Sequence, residues 1–361
     1  MNYEEMVKKA VALQEGYPIE ITNCRIKLDA NESPFQPSES FRDKVAEIAR
    51  GLSLNRYPEP GSPGLKRRFA RYLGVPENMV LTGNGSDELI QVLASALEIV
   101  PERGVMVPVP TFAIYGIVCR NNGHRVTEIP LDEGFNLDRE AMLEALSRNR
   151  PQVVFMASPN NPTGNRFDPT VIEDMLRAMA GEGIVVVDEA YVDYADSSFL
   201  PRIGEFENLV ILRTLSKNGM AGLRTGVLVG QPSLIRQLRK VCLPYNINLF
   251  SQEVASYFLE NEQREIIGRA ERIKRERRRL TEEMAALEGI EPFPSEANFV
   301  LFRCIREKNN IYNYFLEKGI LIKNFTSPGP LSDCMRVTVG TEEENSAFID
   351  ALKEAVLRQG A

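Results

Sequence analysis

Apolar residues in this chain come in two textures. From Met79 onward, short runs rich in β-branched residues alternate with stretches whose apolar positions recur every three or four residues. MVLT precedes SDELIQVLASALEI, GVMVPV precedes TFAIYGIVCRNN, QVVFMAS precedes DPTVIEDMLRAMAGEG, and TGVLVG precedes PSLIRQLRKVC; IVVVDEA and NLVILRTLS are further runs. The short runs do not alternate apolar with polar, so they predict strands buried on both faces. Strands and helices in alternation predict an α/β domain with a mostly parallel sheet flanked by helices.

After Pro244-Tyr245-Asn246 the texture changes. A long helical stretch over residues 251–287, rich in Arg and Glu, is followed by NFVLF, a helix near 311–318, ILIKN, MRVTVG and a last helix. This pattern predicts a smaller α+β domain. The expected division is an N-terminal arm with part of the small domain over 1–45, a large domain over 46–248 and the small domain over 249–361. The basic run RIKRERRR is interleaved with Glu265, Glu271, Glu276, Glu282 and Glu283. It reads as a solvated, salt-bridged helix and not as a nucleic-acid site.

Composition narrows the chemistry. Of 361 residues, 43 % are apolar and 26 % charged, which is ordinary for a globular protein. The net charge of −7 argues against bulk binding to nucleic acid or anionic membrane. No window reaches the roughly 18 apolar residues of a membrane span, and MNYEEMVKKAVALQEGYP has no secretory pattern. The five cysteines, Cys24, Cys119, Cys242, Cys304 and Cys334, are scattered and odd in number. They fit a reducing, cytoplasmic compartment and no disulfide framework. With one histidine, His124, and no cluster at metal-ligand spacing, metal catalysis and His-based triads are poor readings.

The run NLVILRT leads into Ser216-Lys217, with Arg224 seven residues after the lysine. Most lysines are solvated surface charges. One at the C-terminal end of a strand in an open parallel sheet sits where such folds place ligands. Lysine forms Schiff bases with carbonyl cofactors, above all pyridoxal 5′-phosphate. That chemistry also needs a phosphate cradle, an acid for the pyridine nitrogen, a donor to the ring hydroxyl and a face for stacking.

Each part has a candidate. GNGSDE follows the run MVLT and opens a helix, where the Ser86 and Asp87 amides would attract an anion. The alternative is that Asp87 merely caps that helix. The motif is GxGxxE, without the third glycine of a dinucleotide fingerprint. Thr214, Ser216 and Arg224 can add hydroxyls and a cation to the same phosphate. IVVVDEAY ends on Asp188, which could pair with the pyridine nitrogen or could be a helix cap. Tyr191 could donate to the ring hydroxyl. SPNNPTG reads as a proline turn or, through Asn161, as a second contact to that hydroxyl. Phe112 could stack on the ring or could be core. All these positions fall at the ends of successive runs, which places them on one edge of one sheet.

GNGSDE, PTFAIY, SPNNPTG, VVVDEAY, RTLSK with AGLR, and MRVTVG occur in the order and approximate spacing of the fold-type-I pyridoxal-phosphate-dependent aminotransferases, which the chain resembles over residues 28–351. LDANESP, NRYPEPGSPGLKRRFA and CMRVTVGTEEEN are more narrowly similar to the histidinol-phosphate aminotransferases. The resemblance implies that Lys217 links to the cofactor and moves the proton. It implies that Asp188 pairs with the pyridinium, that Tyr191 and Asn161 contact the ring oxygen, and that Phe112 stacks. Ser86, Asp87, Thr214, Ser216 and Arg224 would hold the phosphate. Tyr57 would reach the phosphate of a neighbouring subunit in a homodimer. Arg336 would bind the acidic group of the substrate, and Asn31 and Glu32 lie in an arm over it.

Two departures from the family stand out. The usual spacing from the lysine to the second cation is eight, so a residue is missing near Asn218-Gly219. Lys323 stands where many members carry a second substrate arginine. The implied reaction is ping-pong transamination between L-histidinol phosphate and 2-oxoglutarate, in histidine biosynthesis. An aromatic-amino-acid aminotransferase or a threonine-phosphate decarboxylase would share the cofactor residues. An NAD-dependent dehydrogenase lacks its GxGxxG here. A regulator that borrowed the fold would need a DNA-binding module, for which no stretch remains.

Overall fold

A computed structural model describes residues 3–12, 24–305 and 307–359. Residues 1–2 and 13–23 of the expected arm, Pro18 among them, lie outside the described residues. The strands are β1 (Ile26–Leu28), β2 (Val80–Gly83), β3 (Val105–Val109), β4 (Val126–Pro130), β5 (Val153–Ala157), β6 (Ile184–Asp188), β7 (Leu209–Thr214), β8 (Gly226–Val229), β9 (Ile290–Pro292), β10 (Phe299–Cys304), β11 (Ile320–Asn324) and β12 (Cys334–Thr338).

Seven strands form one sheet in the order β2-β8-β7-β6-β5-β3-β4. The run from β4 through β7 is parallel. β8 is antiparallel to both its neighbours, so every strand of this sheet except β8 ends on the same edge. The unbroken apolar runs now have a physical reason. Val154, Met156, Val185, Val187 and Ile211 enter one buried cluster, while Val153, Phe155, Val186, Val210 and Leu212 enter another. Successive side chains on a strand point to opposite faces. Helices cover both faces, so both sets must be apolar. Helix starts are fixed locally: Asp138, Asp168 and Asn248 each accept a first-turn N–H.

The other five strands form a second sheet in the order β1-β11-β12-β10-β9. β1 joins it as a parallel edge on β11, and its remaining pairings are antiparallel. Its own buried cluster includes Ile26, Leu28, Phe299, Phe302, Ile322, Phe348 and Leu352.

The helical stretch expected over 251–287 is two helices, Leu249–Asn261 and Gln263–Ala285. The break at Glu262 (φ −107°, ψ 16°) follows from which core each half serves. Val254, Ala255, Phe258 and Leu259 pack with the seven-stranded sheet, whereas Ala270, Ile273, Leu280 and Met284 pack with the five-stranded one. Asn261 adds a weak helix former whose side chain bonds the Tyr257 carbonyl.

The turn from β2 and the start of β8 approach closely. A Cβ at Gly226 would lie 2.6 Å from both the Gly85 carbonyl carbon and the Ser86 nitrogen. Gly226→Ala should therefore cost about 1–3 kcal/mol through overpacking. It should lower the thermal unfolding midpoint and displace the Gly85-Ser86 turn. An unchanged midpoint would show that the turn yields freely.

Candidate active site

A cavity of about 460 Å³ lies at the edge where the parallel strands end. Its walls come from the segments after β2, β3, β5, β6 and β7, and from β1, β11, β12 and the residues that follow β1 and β11. Size and placement are those of a small-molecule site in an open α/β sheet.

Asp188 is the last residue of β6, opposite Ala157 of β5 and Leu212 of β7. It is 3 % exposed. Tyr115 Oη donates to its Oδ2 at 2.7 Å and the Ala190 N–H to its Oδ1 at 3.0 Å. Burial pushes the carboxyl up to about 6; the Tyr115 and Ala190 hydrogen bonds pull it down, and the like charges of Asp87 and Glu189 add to the rise. Tyr115 in turn is fully buried and pushed well above its ordinary range, first by burial and then by Asp188.

Lys217 follows β7 in a short 3-10 turn, Ser216–Asn218. Its Nζ donates to the Ala30 carbonyl at 3.4 Å and lies 5.7 Å from the Tyr191 ring centroid. The shortened loop closes through Gly219 (φ +89°) and Arg224, itself left-handed at φ +50°. That geometry carries the Arg224 guanidinium to Ser216 Oγ at 3.2 Å and to Asp87 Oδ2 at 2.9 Å. The Ser216 N–H donates to Thr214 Oγ1 at 3.1 Å. Ser86, Asp87, Thr214, Ser216 and Arg224 thus share one end of the cavity wall.

Arg336 on β12 faces Lys323 on β11 in register, and both line the cavity. Arg336 donates through Nη1 to Asn161 Oδ1 and through Nη2 to the Asp29 carbonyl at 2.6 Å. The two asparagines of SPNNPTG divide their work. Asn160 is fully buried and bonds Pro110 O and Thr163 Oγ1, while Asn161 lines the cavity. Phe112 lines it too, edge-on to Tyr115 at 5.5 Å.

Of the residues singled out from sequence, Lys217, Asp188, Tyr191, Ser86, Asp87, Phe112, Asn161, Thr214, Ser216, Arg224, Arg336, Lys323 and Asn31 all line this cavity. Two do not. Glu32 is paired with Lys27 at 3.3 Å. Tyr57 is 81 % exposed and stacked on Tyr245, with ring centroids 4.5 Å apart. Sequence reasoning missed Tyr115, Lys27, Asp29, Phe325 and Leu331, which also line the cavity. Two of them had a signal: Tyr115 sits three residues after Phe112 in PTFAIY, and Asp29 lies inside LDANESP.

Residues 25–352 match the family Aminotransferase class I and II. The chain belongs to the class I and II aminotransferases. It is 44 % identical over 336 residues to histidinol-phosphate aminotransferase 2 of Nitrosococcus oceani, covering 91 % of each chain. It is 36 % identical to histidinol-phosphate aminotransferase of Aquifex aeolicus, covering 97 % of this chain and 98 % of that one. Its fold superposes on the crystal structure of histidinol-phosphate aminotransferase from Sinorhizobium meliloti in complex with pyridoxal-5′-phosphate. The TM-score is 0.84 at 25 % identity, over 94 % of this chain and 92 % of that one.

Class I and II aminotransferases depend on pyridoxal 5′-phosphate, and the residues here fit that group. A buried acid whose leading charge neighbours are negative needs a cation, hydroxyls and a guanidinium gather for a phosphate, and the Lys217 amine lines the same cavity. Among the described residues, no helix is long and apolar enough to cross a membrane.

The Asp188 shift makes a pH prediction for the cofactor-free protein. Below about pH 4 the carboxyl is protonated in folded and unfolded chains alike. Between there and about pH 6 the unfolded chain ionises while the folded one keeps its proton, so stability falls as pH rises, by roughly 3 kcal/mol at most. Asp188→Asn should remove that slope. Its thermal midpoint relative to wild type should climb from pH 4 to pH 7, and added pyridoxal phosphate should stabilise it less than wild type. A pH-independent difference would mean that Asp188 ionises normally in the fold.

Proposed function

We propose that this protein transfers the amino group between L-histidinol phosphate and 2-oxoglutarate, in histidine biosynthesis, by ping-pong transamination. The observation that carries this reading is the pair of cations, Arg336 and Lys323, set side by side across β11 and β12 in the wall of the cavity that holds Lys217. Such a pair suits a phosphate dianion in one half-reaction and a carboxylate in the other. The names of the relatives support the same substrate.

Pyridoxal phosphate, when bound, supplies a carbonyl that links amines and a ring that takes up the electron pair released when the substrate loses its α-proton. Asp188 would hold the ring nitrogen protonated, and would ionise there because that positive charge offsets its burial. Ser86, Asp87, Thr214, Ser216 and Arg224 anchor the phosphate. Asp87 is offset by Arg224 there, and the helix that starts at Gly85 adds its first amides. Phe112 would cover one face of the ring, while Tyr191 and Asn161 would meet its oxygen. Lys217 would hold the cofactor through its amine and, once freed and neutral, would take up and return the proton of the substrate Cα. Arg336 and Lys323 hold the substrate acid group, and the arm with Asn31 and Glu32 limits water access.

The chain acts as a cytoplasmic homodimer in this reading. Tyr57 and Tyr245 form an exposed aromatic pair, and Tyr57 crosses to the neighbouring subunit's phosphate site. The working division is an arm and part of the small domain over 1–45, a cofactor domain over 46–248 and a small domain over 249–361.

The test is single-turnover absorbance of the pyridoxal-phosphate-loaded protein with L-histidinol phosphate, L-phenylalanine and L-threonine phosphate in turn. Histidinol phosphate should convert the cofactor to its amine form at least about 100-fold faster than phenylalanine, and threonine phosphate should release no CO2. Lys217→Ala should lose that conversion by about 1,000-fold or more. Equal rates with phenylalanine would make this a broad aromatic enzyme. CO2 from threonine phosphate would replace transamination with decarboxylation.

A further inference from the structure

Asn31 lines the cavity, yet its amide is already engaged. The residue is 2 % exposed, and its φ of +55° puts it in the left-handed region, which asparagine enters more readily than most side chains. Three contacts hold it there. Its backbone N–H donates to Thr338 Oγ1 at 2.9 Å, and Asn298 Nδ2 donates to its carbonyl at 3.0 Å. Thr338 Oγ1, having accepted that N–H, turns its own proton to Asn31 Oδ1 at 3.3 Å. The oxygen end of the amide thus faces Thr338, and the nitrogen end donates to Tyr191 Oη at 3.0 Å. The same turn points the carbonyl of the preceding residue, Ala30, at Lys217 Nζ.

A phenol oxygen that accepts an amide proton still has its own O–H to give. The Tyr191 ring is held edge-on against Phe299, with centroids 5.1 Å apart at 84°. We propose that Asn31 is a positioning residue: by donating to Tyr191 Oη it directs the tyrosine proton onto the ring oxygen of bound pyridoxal phosphate. The inference rests on the cofactor arrangement proposed above. A ring oxygen that receives a proton carries less negative charge. It then does less to keep a proton on the adjacent nitrogen that joins Lys217 to the cofactor, so that linkage deprotonates at lower pH.

Several titratable groups face this position. Lys217, Asp188, Tyr115 and Tyr194 come from the large-sheet side. Lys27, Asp29, Lys323 and Arg336 come from the wall built on the second sheet. Arg269 and Arg277, on the helix Gln263–Ala285, reach Tyr194 from behind. Their fields are common to all the variants below.

The test is an absorbance pH titration of the pyridoxal-phosphate-loaded protein, with thermal unfolding of the cofactor-free form as the measure of folding. Asn31→Asp turns the donor into an acceptor that takes the Tyr191 proton for itself. Its titration midpoint should rise by about one pH unit or more. Tyr191→Phe should raise the midpoint as well, and adding Asn31→Asp to it should move it little further, because the two act through one contact. Thr338→Val, which adds no charge, should shift the midpoint in the same direction by a smaller amount. It carries the test by itself where Asn31→Asp lowers the unfolding midpoint. An unmoved titration in these variants overturns the proposal. So does an Asn31→Asp shift of equal size with and without Tyr191, which would be the field of the new charge alone. A wild-type protein that forms no Lys217-dependent absorbance overturns the cofactor arrangement itself, and the inference with it.

Discussion

The structure depends on the carboxylate at the end of β6. Asp188 sits on the central strand of a sheet buried on both faces, and an ionised acid there costs several kcal/mol unless it is compensated. Two hydrogen bonds, from Tyr115 and Ala190, satisfy its oxygens. The charges that act on it most, Asp87 and Glu189, are both negative. The fold therefore builds a demand for positive charge into the one place where strands from both halves of the sheet end together. On the proposed cofactor arrangement a protonated pyridine nitrogen would answer that demand, and the ring that carries it would become a stronger acceptor of electrons. Stability of the loaded protein and reactivity of the cofactor would then come from the same contact.

The remainder of the sheet edge is arranged at fixed distances from that carboxylate. The reversal of β8 returns the chain to the edge directly beside the turn after β2. Glycine at 226 lets the two backbones meet there, and glycine at 85 leaves room for the Arg224 guanidinium. Arg224, in the left-handed region just before β8, is delivered into the cradle by this reversal. The second sheet answers to a different requirement. It presents side chains across a strand pair, where register sets their spacing. Lys323 opposite Arg336 is such a pair. The Arg336–Asn161 hydrogen bond joins the two sheets at the cavity, so the Arg336 guanidinium and the loop after β5 cannot shift independently.

Much of this was legible because it is local. Lys217, Asp188 and Ser86 announce themselves by standing where an apolar run stops, and the run itself shows that both faces are buried. A tight turn between Lys217 and Arg224 was legible from the glycines there, and Gly219 takes the left-handed region within it. Contacts made by tertiary closure were not legible. Tyr115 reads as a core aromatic until β3 and β6 are placed two strands apart. Asn31 and Tyr191 are 160 positions apart, and no periodicity links them. The break at Glu262 was hidden for a related reason: both halves of the stretch are amphipathic, and only the division of cores shows that they face different sheets.

The lysine at position 323 can be understood from the geometry of the two anions that a ping-pong enzyme must admit in turn. A carboxylate is planar, and two parallel N–H bonds from one guanidinium recognise it best. On the proposed reaction Arg336 would supply that fork, with its Nη2 contact to the Asp29 carbonyl holding the plane. A phosphate monoester is tetrahedral and carries up to two charges, so a point charge beside the fork serves it as well as a second fork would. A second arginine would compete with Arg336 for the same planar face of a small carboxylate. A lysine across the strand pair adds charge for the phosphate and leaves that face to Arg336. On the proposed reaction, position 323 thus divides the labour between the two half-reactions without a change in the backbone that presents it.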